Sequence, residues 1–233
     1  MTIGERAGRL PTSALLALAG GYLDAYTYVG HGHVFANTMT GNVVLSAIGV
    51  LREDWGLAGG HLAPLLPFAL GIWVSQWIRL RGFRDPYITV LVLEMGILAG
   101  LSLLPNGTRD FWITTSVAFA ASLQVQTFRT VAGYNYSSTY TTGNLRSLSE
   151  ALFDRAFHTI RRHPTNRAEA TTKARVFGVI CAGFFGGAAM GGWVTAMVGN
   201  PALWVEVAIL GAVLTFLLRG AGMADAMRIR LGR

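Results

Sequence analysis

Thr40-Gly41-Asn42 and Thr142-Gly143-Asn144 are two copies of one tripeptide whose residue types suit the handling of a small polar molecule. The asparagine amide offers donors and acceptors together, glycine permits a tight turn, and threonine can cap a helix that follows. Each copy sits between polar, Gly/Asn/Thr-rich sequence and a short helical stretch, which places free N–H groups at two helix N-termini. Such groups carry partial positive charge suited to an anion or an electronegative solute atom. Direct contact with a solute is one reading of the pair. Two caps that bond each other and only close the fold is the other.

Further polar residues interrupt the apolar runs. Asp24 and Glu94 are acidic and deep within spanning-length segments, where an unpaired charge costs at least about 2.5–3.5 kcal/mol. Each is a candidate coupling group for a proton or cation, or a protonated carboxyl bonded to a neighbouring helix. Glu206 falls near the end of the last apolar run and is expected to reach the interface. Gln124, Gln126 and Arg129 form a polar stripe on one span, with Arg129 positioned to hold an anion, pair with an acid or snorkel to the membrane surface. His31 and His33 make a His-x-His pair, but no cysteine or carboxylate lies close in sequence, so a surface loop is expected rather than a metal site. Cys181 is the single cysteine. No cofactor is implied, and the absence of a Ser/His, His/His/Glu or paired-carboxylate constellation argues against an enzyme.

The elements that must position these residues follow from composition. The chain has 233 residues, is 52% hydrophobic and 13% charged, and has a mean hydropathy of +0.44, which excludes an ordinary soluble domain. Six runs reach spanning length, at 12–29, 61–80, 86–104, 111–132, 175–198 and 201–218. Two segments, 30–51 and 133–157, are polar at first and become helical after the tripeptide, and each is half-length. Irregular backbone at membrane depth survives only against protein or a water-filled cavity, so both segments are expected to line an interior.

The order of elements repeats. A long span, a polar loop with Thr-Gly-Asn, a short helix and two more spans occupy 1–105, and the same order fills 106–233. The offset places Asp24 over Gln126. If both half-helix segments turn back, each half has three crossings and the second is inverted relative to the first. Arg79, Arg81 and Arg84 then fall with most other basic residues on the cytoplasmic side, as the positive-inside rule favours; eight crossings would move that cluster outside. The expected fold is thus an all-α polytopic membrane protein of six transmembrane helices and two re-entrant half-helices in two inverted repeats. It is placed in the bacterial inner membrane with both termini cytoplasmic.

The formal charge of +7 is accounted for by that orientation, and no aromatic-basic platform suggests nucleic acid. The basic stretch 155–175 fits anionic lipid. Gly183, Gly187 and Gly191 give the fifth span a smooth face, and Gly96 and Gly100 do likewise on the third. Such faces serve close packing within the chain or a homodimer seam.

The stretch GGYLDAYTYVGHGHVFANTMTGNVV, with Gly21, Asp24, Phe35, Thr40, Gly41 and Asn42, resembles the N-terminal signature of the YoaK-type family of bacterial membrane proteins, a domain of unknown function. SLQVQTFR, with Gln124 and Arg129, is similar to that family's Gly-Met-Gln-Asn-Ala…Arg pattern, and TYTTGN to its Thr-Thr…Thr-Gly motif. Ser122, Leu123, Val125 and Gln126 depart from the pattern. The likeness covers nearly the whole chain; it implies about six spans and supplies no substrate.

The leading expectation is a transporter of a small polar solute, working by alternating access around the paired motifs. A passive channel and a non-transporting interaction protein are the rivals. Loss of gradient-driven accumulation in Asp24→Asn would separate a coupled transporter from a neutral-solute channel.

Overall fold

The computed structural model describes residues 2–82, 85–157 and 167–219. Arg84, the middle of the basic stretch at 158–166 and the chain from 220 onward lie outside the described residues. Short α1 (Ile3–Ala7) opens with a capping box in which Thr2 and Glu5 exchange hydrogen bonds. There follow α2 (Leu10–Gly30), α3 (Met39–Leu51), α4 (Trp55–Leu62) and α5 (Leu65–Leu80). Next come α6 (Pro86–Ser102), α7 (Asp110–Thr127), a hairpin of β1 (Thr130–Val131) and β2 (Tyr134–Asn135), α8 (Thr142–Phe157), α9 (Arg167–Val198) and α10 (Leu203–Leu218). The protein is a helical membrane protein. By length and composition Trp55–Leu80, Arg167–Val198 and Asn200–Leu218 can each cross a bilayer, and Met39–Leu51 and Pro86–Ser102 are shorter apolar helices.

Local sequence sets several boundaries. Asp54 caps α4 through the Leu57 amide at 2.9 Å, and Asp85 caps α6 through the Tyr87 and Ile88 amides. The apolar run 111–132 does not stay helical to its end. α7 stops at Thr127, and the β-branched pair Thr130-Val131 turns into the hairpin through Ala132 and Gly133, both at positive φ. Arg129 therefore stands in the link after α7 and not on a helical stripe with the glutamines.

The helices cross-pair between the two halves of the chain. α2 packs along α9 and α7 along α5, while α10 packs on α2 and α6 on α7. α6 and α10 pack on each other, α3 lies on α4, and α8 on α9. The glycine face of α9 makes the α2 contact possible. A Cβ on Gly183 would stand 3.0 Å from the Ala14 carbonyl oxygen, one on Gly187 2.7 Å from the Leu18 carbonyl carbon, and one on Gly191 2.5 Å from the Tyr22 oxygen. That stripe is used within the chain. Gly96 and Gly100 have nothing within 4 Å of a Cβ, so the expectation that they pack closely fails inside this chain. The main core joins Leu16, Tyr22 and Tyr26 of α2 to Leu91 and Leu98 of α6, Val117 of α7 and Leu210 of α10.

Candidate solute site between two polar loops

Each Thr-Gly-Asn lies in the first turn of its helix rather than ahead of it, because α3 already begins at Met39 and α8 at Thr142. Thr40 is exposed inside α3, and Thr38, not Thr40, stands at the N-cap, without a side-chain capping bond. The expected capping role of Thr40 is overturned. Thr142 is the exposed first residue of α8.

The asparagines act locally and alike. Asn42 Oδ1 accepts from the Phe35 N–H at 3.0 Å while its Nδ2 donates to the Phe35 carbonyl at 2.7 Å. Asn144 does the same to Ser137, at 3.2 and 2.6 Å. Each amide thus closes an eight-residue loop by mimicking a backbone partner, which satisfies polar groups that buried irregular chain could not otherwise pair. The two asparagines do not bond each other. Asn42 is fully buried and further engaged by His61 Nδ1 at 3.2 Å, so its amide serves the loop. Gly41 is helical, and a side chain there would press on the Phe35 ring at 3.2 Å.

Both loops are anchored to α2. Asp24 Oδ1 accepts from the Asn37 N–H and Oδ2 from the Thr38 hydroxyl, each at 2.7 Å, and Asn37 Nδ2 donates to the Gly20 carbonyl at 3.1 Å. Asp24 is buried, and these two bonds use both of its carboxyl oxygens to hold the loop. Gln124 holds the second loop, donating from Nε2 to the Leu16 carbonyl at 3.1 Å and to Ser138 Oγ at 2.9 Å. Gly20 is required here, since a Cβ would collide with the Ser138–Thr139 backbone.

Two cavities flank these loops. One, of about 440 Å³, is lined by Asp24, Tyr28, Phe35 and Thr38 from the first half and by Tyr140, Thr141 and Thr142 from the second, with α9 behind. Tyr28 and Phe35 stack at 4.8 Å to form an aromatic wall. The Thr141 hydroxyl is buried and has no hydrogen-bond partner among the described residues. The other cavity, of about 400 Å³, is lined by Gln126, Arg129, Asn135, Ser137, Tyr140, Gly143 and Asn144. Gly143 has nothing within 4 Å of a Cβ and leaves that space open. Tyr140 borders both cavities. The walls correspond along the chain: Asp24, Phe35 and Thr38 of the first become Gln126, Ser137 and Tyr140 of the second at one constant offset.

The structure thus brings Asp24 and Thr142 to one cavity, and Gln126, Arg129, Gly143 and Asn144 to the other. Gln124 and Asn42 shape the walls from behind. Glu94 is remote from both, and Thr40 and Gly41 line neither. Thr38, Tyr140 and Thr141 were missed by sequence reasoning, although the offset from Asp24 and the doubled threonines around Tyr140 carried a signal. Two corrections concern polar residues elsewhere. His31 is buried, bonded through Nδ1 to Asp110 at 3.0 Å and through Nε2 to the Tyr26 hydroxyl at 3.0 Å, and not part of a surface loop. Glu206 is fully buried and does not reach an interface, because α10 packs on both α6 and α2. Among the described residues no group of three or more His, Cys, Asp and Glu is placed to hold a metal.

Comparison with known proteins agrees with the sequence motifs. The family described as "Protein of unknown function (DUF1275)" matches residues 12–216. The chain is 26% identical over 151 residues to the UPF0700 transmembrane protein YoaK of Bacillus subtilis (strain 168), covering 62% of this chain and 67% of that protein. No solved structure matches. A pattern that takes in both polar loops and the helices around them, together with a transmembrane relative, makes this chain an integral membrane protein of the YoaK-type DUF1275 family.

Proposed function

We propose that the protein transports a small polar solute by alternating access, with the two polar loops as the moving walls of its site. The observation that carries this reading is the pair of cavities at equivalent chain positions, sharing Tyr140. In this reading the halves 1–105 and 106–233 are inverted repeats of three crossings each, with both termini on the cytoplasmic side of the inner membrane. Inversion makes equivalent cavities open toward opposite faces, and the exchange between the two forms carries solute across. The reciprocal packing of α2 on α9 and α7 on α5 supports the duplication.

The chemistry of the walls limits the solute. Volumes of about 440 and 400 Å³ lie at the low end for ligand sites and admit a molecule of metabolite size. Asp24, Thr38 and Thr141 present acceptors and hydroxyls beside an aromatic face, and Arg129, Gln126 and Asn135 present donors on the other side. Asp24 is the proposed coupling residue. The walls carry no Ser/His, His/His/Glu or paired-carboxylate arrangement, and transport rather than turnover is proposed.

The test is a thermal-shift screen of lipid-reconstituted protein against small anions, amino acids, nucleobases, sugars and amides. A ligand at 100 times its Kd stabilises the native state by about 2.7 kcal/mol. The expected hit is lost in Gly143→Leu, whose side chain occupies open cavity space. A panel without a hit, or a hit indifferent to Gly143→Leu, counts against the proposal.

A further inference from the structure

Glu94 of α6 and Glu206 of α10 are both fully buried, and none of their four carboxyl oxygens has a hydrogen-bond partner among the described residues. The two lie within Coulombic reach of each other across the α6–α10 contact. Their surroundings are apolar, with Val90, Leu91 and Leu98 on α6 and Leu210 and Val213 on α10. Two unpaired carboxylates side by side in such a setting cost far more than the fold can carry. Something positive must neutralise them. A metal ion would require several further oxygen ligands, which these helices do not supply. A proton requires none.

A polar chain leads from the surface toward this pair. The Asp110 side chain is 55% exposed and accepts from His31, which is buried and bonded in turn to the Tyr26 hydroxyl. Tyr26 donates to Asn200 Oδ1 at 3.1 Å, an oxygen left to accept because Asn200 Nδ2 already donates to the Leu104 and Pro105 carbonyls. With the Tyr26 proton directed at Asn200, His31 Nε2–H must donate to the Tyr26 oxygen. One turn earlier on α2, Tyr22 donates to the Ala202 carbonyl at 2.7 Å and lies within Coulombic reach of Glu206.

We propose that Glu94 and Glu206 form a buried proton-binding pair, each carboxyl taking its own proton, toward which the hydrogen-bonded chain Asp110–His31–Tyr26–Asn200 leads from the surface. The inference deepens the transport reading by naming the proton as the coupling ion, with the glutamate pair as a second proton-binding group beside Asp24. Among the described residues, Tyr22 on α2 lies within Coulombic reach of Glu206, and Asp24 on the same helix is engaged by Asn37 and Thr38. The other charged groups on elements packed against α6 and α10 stand at helix ends: Asp110 at the start of α7, Glu5 and Arg6 on α1, with the Arg6 guanidinium donating to the Leu217 carbonyl, and Arg79 in the last turn of α5.

Infrared spectroscopy of the lipid-reconstituted protein tests this without any solute. At neutral pH the wild type is expected to show a buried carboxylic-acid C=O band that is lost in Glu94→Gln/Glu206→Gln and kept in Asp24→Asn. Removing both charges together avoids stranding one, and monodispersity on size exclusion confirms folding. In heavy water the deuterium shift of that band is expected to slow by about tenfold or more in His31→Gln, since glutamine keeps hydrogen bonds but relays protons poorly. A band unchanged in the double variant overturns the site, and an unchanged exchange rate in His31→Gln overturns the route. Failure of solute uptake alone touches neither result.

Discussion

Replacing either motif asparagine by alanine tests the structural role assigned to the repeated tripeptide. Asn42→Ala strands the Phe35 N–H, now 3.0 Å from Oδ1, and the Phe35 carbonyl, now 2.7 Å from Nδ2. Asn144→Ala strands the same two groups of Ser137. Each stranded buried group costs about 1–3 kcal/mol, and water entering from the adjoining cavities recovers part of it, so each variant should lose about 2–4 kcal/mol. The threonines set the contrast. If Thr40 and Thr142 were caps, Thr→Ala would cost about 1 kcal/mol; both are exposed, and the structure predicts a loss within about 0.5 kcal/mol. Equilibrium unfolding in SDS–lipid mixed micelles, followed by tryptophan fluorescence, measures all four. Asparagine variants as stable as wild type, or threonine variants as damaged as the asparagine ones, would refute the loop-closure argument.

Three other outcomes are expected. Gly187→Leu forces a side chain into the Leu18 backbone and should destabilise by about 3 kcal/mol or more, seen as lost monodispersity or a lowered Tm, whereas Gly96→Leu, facing open space, should leave both unchanged. Asp24→Ala leaves the Asn37 N–H and Thr38 hydroxyl without their acceptor and should lower stability by about 2–4 kcal/mol in the same unfolding assay. Asp24→Asn can still accept from Asn37 and exchange a bond with Thr38, so its stability should stay within about 1 kcal/mol of wild type while gradient-driven solute accumulation is lost.

How far the sequence could be read depended on whether the governing contact is local. Helix-length apolar runs, the doubled Thr-Gly-Asn and the Gly183, Gly187, Gly191 stripe are local patterns, and each corresponds to a structural feature. The stripe's partner was open between the same chain and a second molecule, because a smooth face does not say what covers it. His31 looked like a loop histidine because its partner Asp110 is distant in sequence and close only after α2 and α7 fold. Glu206 looked interfacial for the same reason, since its burial is made by α6 and α2. Arg129 left its expected helix because a two-residue strand pair beyond Thr127 outcompeted another helical turn. The asparagines stood out as unusual residues, but the bonds they make reach back seven positions across irregular loop, where neither helical nor strand periodicity applies.

Alternating access through two equivalent cavities is tested most directly by side-specific cysteine labelling. With Cys181→Ser as background, Thr38→Cys and Gly143→Cys place one thiol at each cavity, and a membrane-impermeant maleimide is applied to right-side-out and to inverted vesicles. The account predicts that the two positions label preferentially from opposite faces, and that a solute from the thermal-shift screen moves their rates in opposite directions. Labelling of both positions from the same face, with rates that solute leaves unchanged, would contradict it.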